Sequence, residues 1–186
     1  MTKLSDIVQI QTGVYMQPDA EGNAVYIQVK DVDESGTLLG GMKPQIFLNE
    51  KQSHHILEPG DVLFAAKGDK NIATVFKGLP FPAVASSSFF VIKFSSKVLP
   101  EYLAWFLNLP LNQKKLKAEA KGTSIPSISL KTLEELQVKI VTLEKQKLIT
   151  QIEQYRMREK QLHLELTSLQ NKLIEFQLTS FLRNSL

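Results

Sequence analysis

The sequence predicts an α/β (α+β) domain over residues 1–141, followed by one long α-helix over 142–186 that forms an antiparallel coiled coil. Three observations carry this. Short apolar runs broken by Gly, Pro, Asn and Asp clusters fill the chain as far as Pro100. Helical spacing then takes over, with prolines at two helix starts. From Leu143 to Phe181 the chain keeps a heptad lattice with no Gly or Pro.

In chain order, Lys3 to Thr12 reads as a short helix or an extended lead-in, with Leu4, Ile7 and Ile10 on one side. Gly13 to Asn23 is loop. Ala24 to Lys30 alternates, placing Val25, Ile27 and Val29 on one face of a strand. Asp33-Glu34-Ser35-Gly36 is a turn, and Ile46 to Leu48 is a candidate short strand. Glu58-Pro59-Gly60-Asp61 turns directly into a strand over Val62 to Lys67. Gly68 to Asn71 turns again, and Ile72 to Phe76 returns, so Lys67 and Lys70 lie at a hairpin tip. Ala83 to Phe94 is a long β-prone run through Ser86, Ser87 and Ser88.

Pro100 opens a helix whose apolar face is Tyr102, Leu103, Phe106 and Leu107. Leu111 to Lys121 is a basic helix carrying Lys114, Lys115, Lys117 and Lys121, closed by Gly122. Thr123 to Ile128 is extended, Ser129 N-caps a short helix through Leu133 and Leu136, and Gln137 to Val141 is a last strand. Thr142 caps the long helix.

In that helix Ile152, Glu159, Leu166 and Leu173 hold one core position of the heptad, and Leu148, Tyr155, Leu162, Leu169 and Phe176 hold the other. Roughly 39 residues at about 1.5 Å each give a rod near 58 Å. The head has too little surface to bury such a seam, and the chain holds no second long helix, so the partner comes from another chain. A two-helix hairpin would need a turn, and nothing between Leu143 and Phe181 reads as one. Ile174, Leu178, Phe181 and Leu182 add a second stripe off the seam, suited to packing on a head domain or on another protein.

At 186 residues, 43% hydrophobic and 22% charged, the chain has the composition of a globular protein. It contains no cysteine, which removes disulfides and thiolate metal sites and suits a cytoplasmic protein. The N-terminus lacks a signal-like apolar core, and no run has the length of a membrane span. Net charge is only +3, and residues 1–141 hold 15 Lys against 14 acids, so any basic surface there is a local patch.

Chemistry is conspicuous by its lack of motifs. There is no phosphate loop and no dinucleotide fingerprint. His54 and His55 are adjacent and should diverge as a surface pair, and His163 falls on the outer face of the coil. Glu58, Asp61 and Lys67 loosely suggest a nuclease site, but no acid stands two residues before the lysine. The pieces Leu79-Pro80-Phe81-Pro82 and Asn108-Leu109-Pro110-Leu111 are not the Asn/Asp-Pro-Pro-aromatic motif of amino-methyltransferases.

The run Gly122-Thr123-Ser124-Ile125-Pro126-Ser127-Ile128-Ser129, the short helix with Leu133-Glu134-Glu135-Leu136, and Val138 to Gln146 leading into a heptad helix form a recognisable order. It resembles the end of a target recognition domain and the helical region of type I restriction–modification specificity subunits. Leu57 to Phe64 and Val29-Lys30-Asp31-Val32 resemble other pieces of that domain. Two features depart from the family: Ile140-Val141-Thr142-Leu143 lacks its prolines, and there is one recognition domain and one helical region where the family has two of each. The resemblance is therefore to a half-length subunit, or to part of a longer one.

That resemblance implies no catalysis and no cofactor in this chain. It implies double-stranded DNA as ligand and methyltransferase subunits that use S-adenosylmethionine, with a restriction subunit that uses ATP as an optional further partner; the unpartnered heptad seam adds a homodimer, since an identical copy is always available. The DNA-contact candidates are Lys67, Lys70 and Asn71 at the hairpin tip, Ser86, Ser87 and Ser88, and Lys115, Lys121, Thr123 and Ser124 around the end of the basic helix. Lysines would hold phosphates, while Asn and Ser could read base edges. The alternative is a non-enzymatic coiled-coil adaptor whose head binds protein.

Overall fold

The computed structural model describes residues 1–68, 71–93, 95–120 and 126–183, without the side chains of residues 51 and 183. The chain forms two compact units, residues 1–147 and 148–186.

The first unit begins with β1 (Thr2–Lys3), a 3-10 turn over Leu4–Asp6 and β2 (Ile10–Thr12), which resolves the lead-in as extended with one turn. Next come β3 (Val25–Ile27), β4 (Val62–Ala65), β5 (Ala73–Val75), β6 (Ala83–Ala85) and β7 (Phe89–Ile92). Helices α1 (Pro100–Asn108), α2 (Pro110–Ala118) and α3 (Leu130–Glu134) follow, then β8 (Gln137–Val138) and the long helix α4 (Leu143–Arg183).

Strands β2, β7, β4 and β5 lie in that order in an antiparallel sheet. Strands β3 and β6 pair in parallel. Strand β1 pairs antiparallel with β8, and Leu4 N–H donates to the Leu136 carbonyl at 3.0 Å, tying the two ends of the head together. Leu63, Ala65, Phe89 and Val91 on one face of the large sheet meet Val25, Ile27, Ala83 and Ala85 of the small one in a dry core. Helix α1 packs on β4 and β5. Its last residue, Asn108, imitates a neighbouring strand: its Oδ1 accepts from Ala73 N–H and its Nδ2 donates to the Ala73 carbonyl, both at 2.8 Å.

Several expectations are corrected. Val29 lies in a 3-10 turn over Val29–Asp31, because Asp31 Oδ2 takes the Gln28 N–H at 2.8 Å and ends β3. β3 is buried on both faces, since Tyr26 joins Ala24, Ile46 and Val84 in a second cluster. Ile46 makes only an isolated bridge to Ala24. The run from Ala83 is two strands in different sheets, not one. α2 stops at Ala118, short of the Lys121 and Gly122 end that the sequence suggests. The last strand covers only Gln137–Val138. His54 and His55 do not diverge: they end a 3-10 turn with ring centroids 4.1 Å apart. Burial, and then the neighbouring His54, hold the His55 imidazole below its usual pKa.

Ser129 does cap α3, its Oγ accepting from Thr132 N–H at 3.0 Å. α4 starts at Leu143, but its first turn belongs to the head. Gln146 is fully buried there: its Oε1 accepts from Leu99 N–H at 2.8 Å and its Nε2 donates to the Val141 carbonyl at 2.9 Å. The 41-residue helix carries Leu148, Ile152, Tyr155, Leu162, Leu166, Leu169, Leu173 and Phe176 at 47–76% exposure, an uncovered apolar seam. Ile174, Leu178, Phe181 and Leu182 are exposed as well. Among the described residues no helix is long and apolar enough to cross a membrane.

Candidate nucleic-acid interface

The register of the large sheet brings four chain segments to one end. β4 ends at Ala65, opposite the start of β7 at Phe89, and β2 ends at Thr12 beside Phe90. β5 begins at Ala73, opposite Phe64. So Gly13 to Tyr15, Ala66 to Gly68, Asn71 to Ile72 and Ser86 to Ser88 all leave the sheet at the same rim.

Backbone bonds knit these segments. Ala66 N–H donates to the Ser88 carbonyl at 2.8 Å, and the Ala66 carbonyl accepts from Ile128 N–H at 2.9 Å. Lys67 bridges Ser127, and Gly68, at a φ of +90°, donates its N–H to the Pro126 carbonyl at 3.0 Å. Only glycine takes that backbone angle at little cost. Val14 bridges Ser86 in parallel, and Gly13 N–H reaches the Phe89 carbonyl at 2.9 Å. Gly13 is wedged in: a Cβ there would collide with the Ser86 carbonyl oxygen.

The candidates fare differently. Lys67 is exposed, and Ser87 and Ser88 are half-buried on the rim beside it. Lys115 is exposed on α2, with Lys114 and Lys117. Gln113 anchors that helix at the same rim, its Nε2 donating to the Asn71 carbonyl at 2.6 Å and the Leu107 carbonyl at 2.8 Å. Two candidates are corrected. Asn71 is buried at the base of the hairpin, not exposed at its tip, and its Nδ2 satisfies the Ala65 carbonyl at 3.0 Å. Ser86 is buried too, its N–H bonded to the Ile27 carbonyl at 2.9 Å where the chain crosses between sheets. Lys70, Lys121, Thr123 and Ser124 lie outside the described residues.

Sequence reasoning missed Ser127 and Tyr15: Ser127 reaches the rim through its pairing with Lys67, and Tyr15 through the pairing of the preceding Val14 with Ser86. The acid–lysine suggestion dissolves. Asp61 is fully buried, and its Oδ2 accepts from Glu58 N–H at 2.9 Å and from Lys93 Nζ at 2.8 Å, so it staples a turn to β7. Among the described residues, what remains at the rim is the exposed Lys67 flanked by hydroxyls, beside a helix bearing three lysines. Such a set can hold phosphates and offer donors and acceptors to base edges.

Solved structures share this fold. One is from a structural study of complex assembly and conformational transition in the type I R-M system, with TM-score 0.68 and 16% identity, over 92% of this chain and 42% of that one. Another is the type I restriction–modification S subunit from M. genitalium, with TM-score 0.57 and 14% identity, over 81% and 37% of the two chains. A third is the HsdS subunit from Thermoanaerobacter tengcongensis, with TM-score 0.60 and 19% identity, over 86% and 38%. This chain thus spans about two-fifths of each of those chains. No curated protein matches it in sequence. The family model for the type I restriction modification DNA specificity domain matches residues 1–167, and the chain belongs to that family.

Proposed function

We propose that this chain is a DNA-reading specificity component of a type I restriction–modification assembly, without catalytic activity of its own. The observation that carries this is the convergence of Lys67, Ser87, Ser88 and Ser127 on one rim beside the lysines of α2. Lys67 and Lys115 would hold phosphates, and the hydroxyls and loop backbone would meet base edges. The chain would work in the cytoplasm with methyltransferase subunits that bring S-adenosylmethionine, and with a restriction subunit where the system cuts. The stripe Ile174, Leu178 and Phe181 is suited to docking such a subunit.

The exposed seam of α4 points to an antiparallel, two-fold homodimer. A parallel pair would set Glu159 against its own copy at a core position. In an antiparallel pair it leans outward, and Arg158 is the cation to meet it, because Arg156 is held by Glu153 of its own chain at 2.6 Å. Two-fold symmetry then makes the half-sites inverted repeats. A helix of about 60 Å limits the separation of the two head–helix junctions to about 18 base pairs at roughly 3.4 Å each.

The test is fluorescence anisotropy of a random-sequence duplex over a salt series. A head touching several phosphates loses log affinity linearly with log salt, at roughly 0.9 per contact. Lys67→Ala and Lys115→Ala should each flatten that slope. A chain that binds no duplex at low salt would support the protein-binding adaptor instead.

A further inference from the structure

We propose that Tyr15 is a specificity-determining residue that reads a base edge from the rim. This deepens the DNA reading above and rests on it.

Tyr15 is 73% exposed, the most exposed aromatic side chain among the described residues of the head. Exposure alone would mean little, but its backbone is pinned on both sides. Val14 N–H donates to the Ala85 carbonyl at 2.9 Å, and the Val14 carbonyl accepts from the Tyr26 hydroxyl at 3.0 Å. The same hydroxyl takes the Met16 N–H at 3.3 Å. Val14 and Met16 pack inward against the Tyr26 cluster, so alternation turns Tyr15 outward. Gly13, with no room for a Cβ, fixes the approach to this segment.

Position supplies the second argument. Val14 bridges Ser86 in parallel, and Ser86 opens a turn whose carbonyl accepts from Phe89 N–H at 2.9 Å, so Tyr15 and Ser87 each directly follow a residue of that bridge. Ser88 bonds Ala66, the residue before Lys67. Tyr15 therefore continues the row of Ser87, Ser88, Lys67 and Ser127. A phenol on a fixed backbone loses little entropy on contact, since only two side-chain torsions must be set. Its hydroxyl can donate to or accept from a base edge, which a lysine on a phosphate cannot turn into sequence information.

The experiment is selection by the full chain from a duplex library with a randomised core, run for wild type, Tyr15→Ala, Tyr15→Phe and Lys67→Ala, with thermal melting confirming that each is folded. Wild type should enrich a motif. Tyr15→Ala should erase base preference at one position of the half-site and weaken binding to the wild-type motif about tenfold. Tyr15→Phe, which keeps the ring and the packing, should lose preference at the same position. Lys67→Ala should weaken binding to all sequences and leave the motif intact. An unchanged motif and affinity for Tyr15→Ala, with Lys67→Ala still weakened, would overturn this role and leave the DNA reading standing. A wild-type chain that enriches nothing would overturn both.

Discussion

Leu166→Ala should weaken the dimer roughly 30-fold and leave each monomer intact. Leu166 is 52% exposed in the single chain, so about half of its apolar surface is still available to bury. Full burial of a leucine is worth about 1.5–3 kcal/mol, so the remaining half contributes about 1 kcal/mol per chain. Two-fold symmetry counts the change twice, giving about 2 kcal/mol per dimer, or roughly 30-fold in Kd. Alanine is the best helix former, so circular dichroism of the helix should hold. The control is Leu164→Ala: Leu164 is 64% exposed but falls off the heptad seam, and removing it should cost the dimer almost nothing. Sedimentation equilibrium over a concentration series measures both. Equal losses for the two variants would refute the heptad assignment, and a wild-type monomer at every concentration would refute the homodimer.

Three further outcomes follow from local geometry. Lys93→Ala strips the cation from Asp61, whose carboxylate side chain is 1% exposed, and should cost about 3–5 kcal/mol in urea unfolding. A loss below about 1 kcal/mol would mean that the pair does not hold the turn to β7. Asn108→Ala leaves both backbone groups of Ala73 unpaired at the sheet edge, at about 1–3 kcal/mol, and should speed hydrogen exchange at the Ala73 amide. Glu159→Leu removes a charge from the seam and should tighten association in the same sedimentation series while weakening the preference for antiparallel pairing, which cysteine crosslinking at the helix ends would read.

Elements governed by local chemistry were legible. Pro100 and Ser129 mark real helix starts, Gly60 at a φ of +99° makes the turn before β4, and the heptad run is one helix. Pairings between distant segments were not. The run through Ser86 has continuous strand propensity, and bonds of Ser86 to Val14 and Ile27, with a turn closed by Phe89 N–H on the Ser86 carbonyl, divide it between two sheets. Asn71 has the composition of a tip residue, but an unpaired Ala65 carbonyl and Gln113 of α2 draw it inward. Gln146 sits in a polar heptad stretch and is buried because Leu99 N–H needs an acceptor. Tyr15 carried no sequence signal, since the pairing that places its segment at the rim joins Val14 to Ser86, 72 positions away in the chain.

Long-read methylome sequencing of cells carrying this chain with its methyltransferase subunits tests the central claim most directly. A two-fold dimer of DNA-reading heads predicts a methylated motif made of two inverted half-sites around an unread gap, and its disappearance when this chain is removed. An asymmetric motif made with this chain as the sole specificity component would contradict the two-fold dimer, and methylation unchanged by its removal would contradict the DNA reading itself.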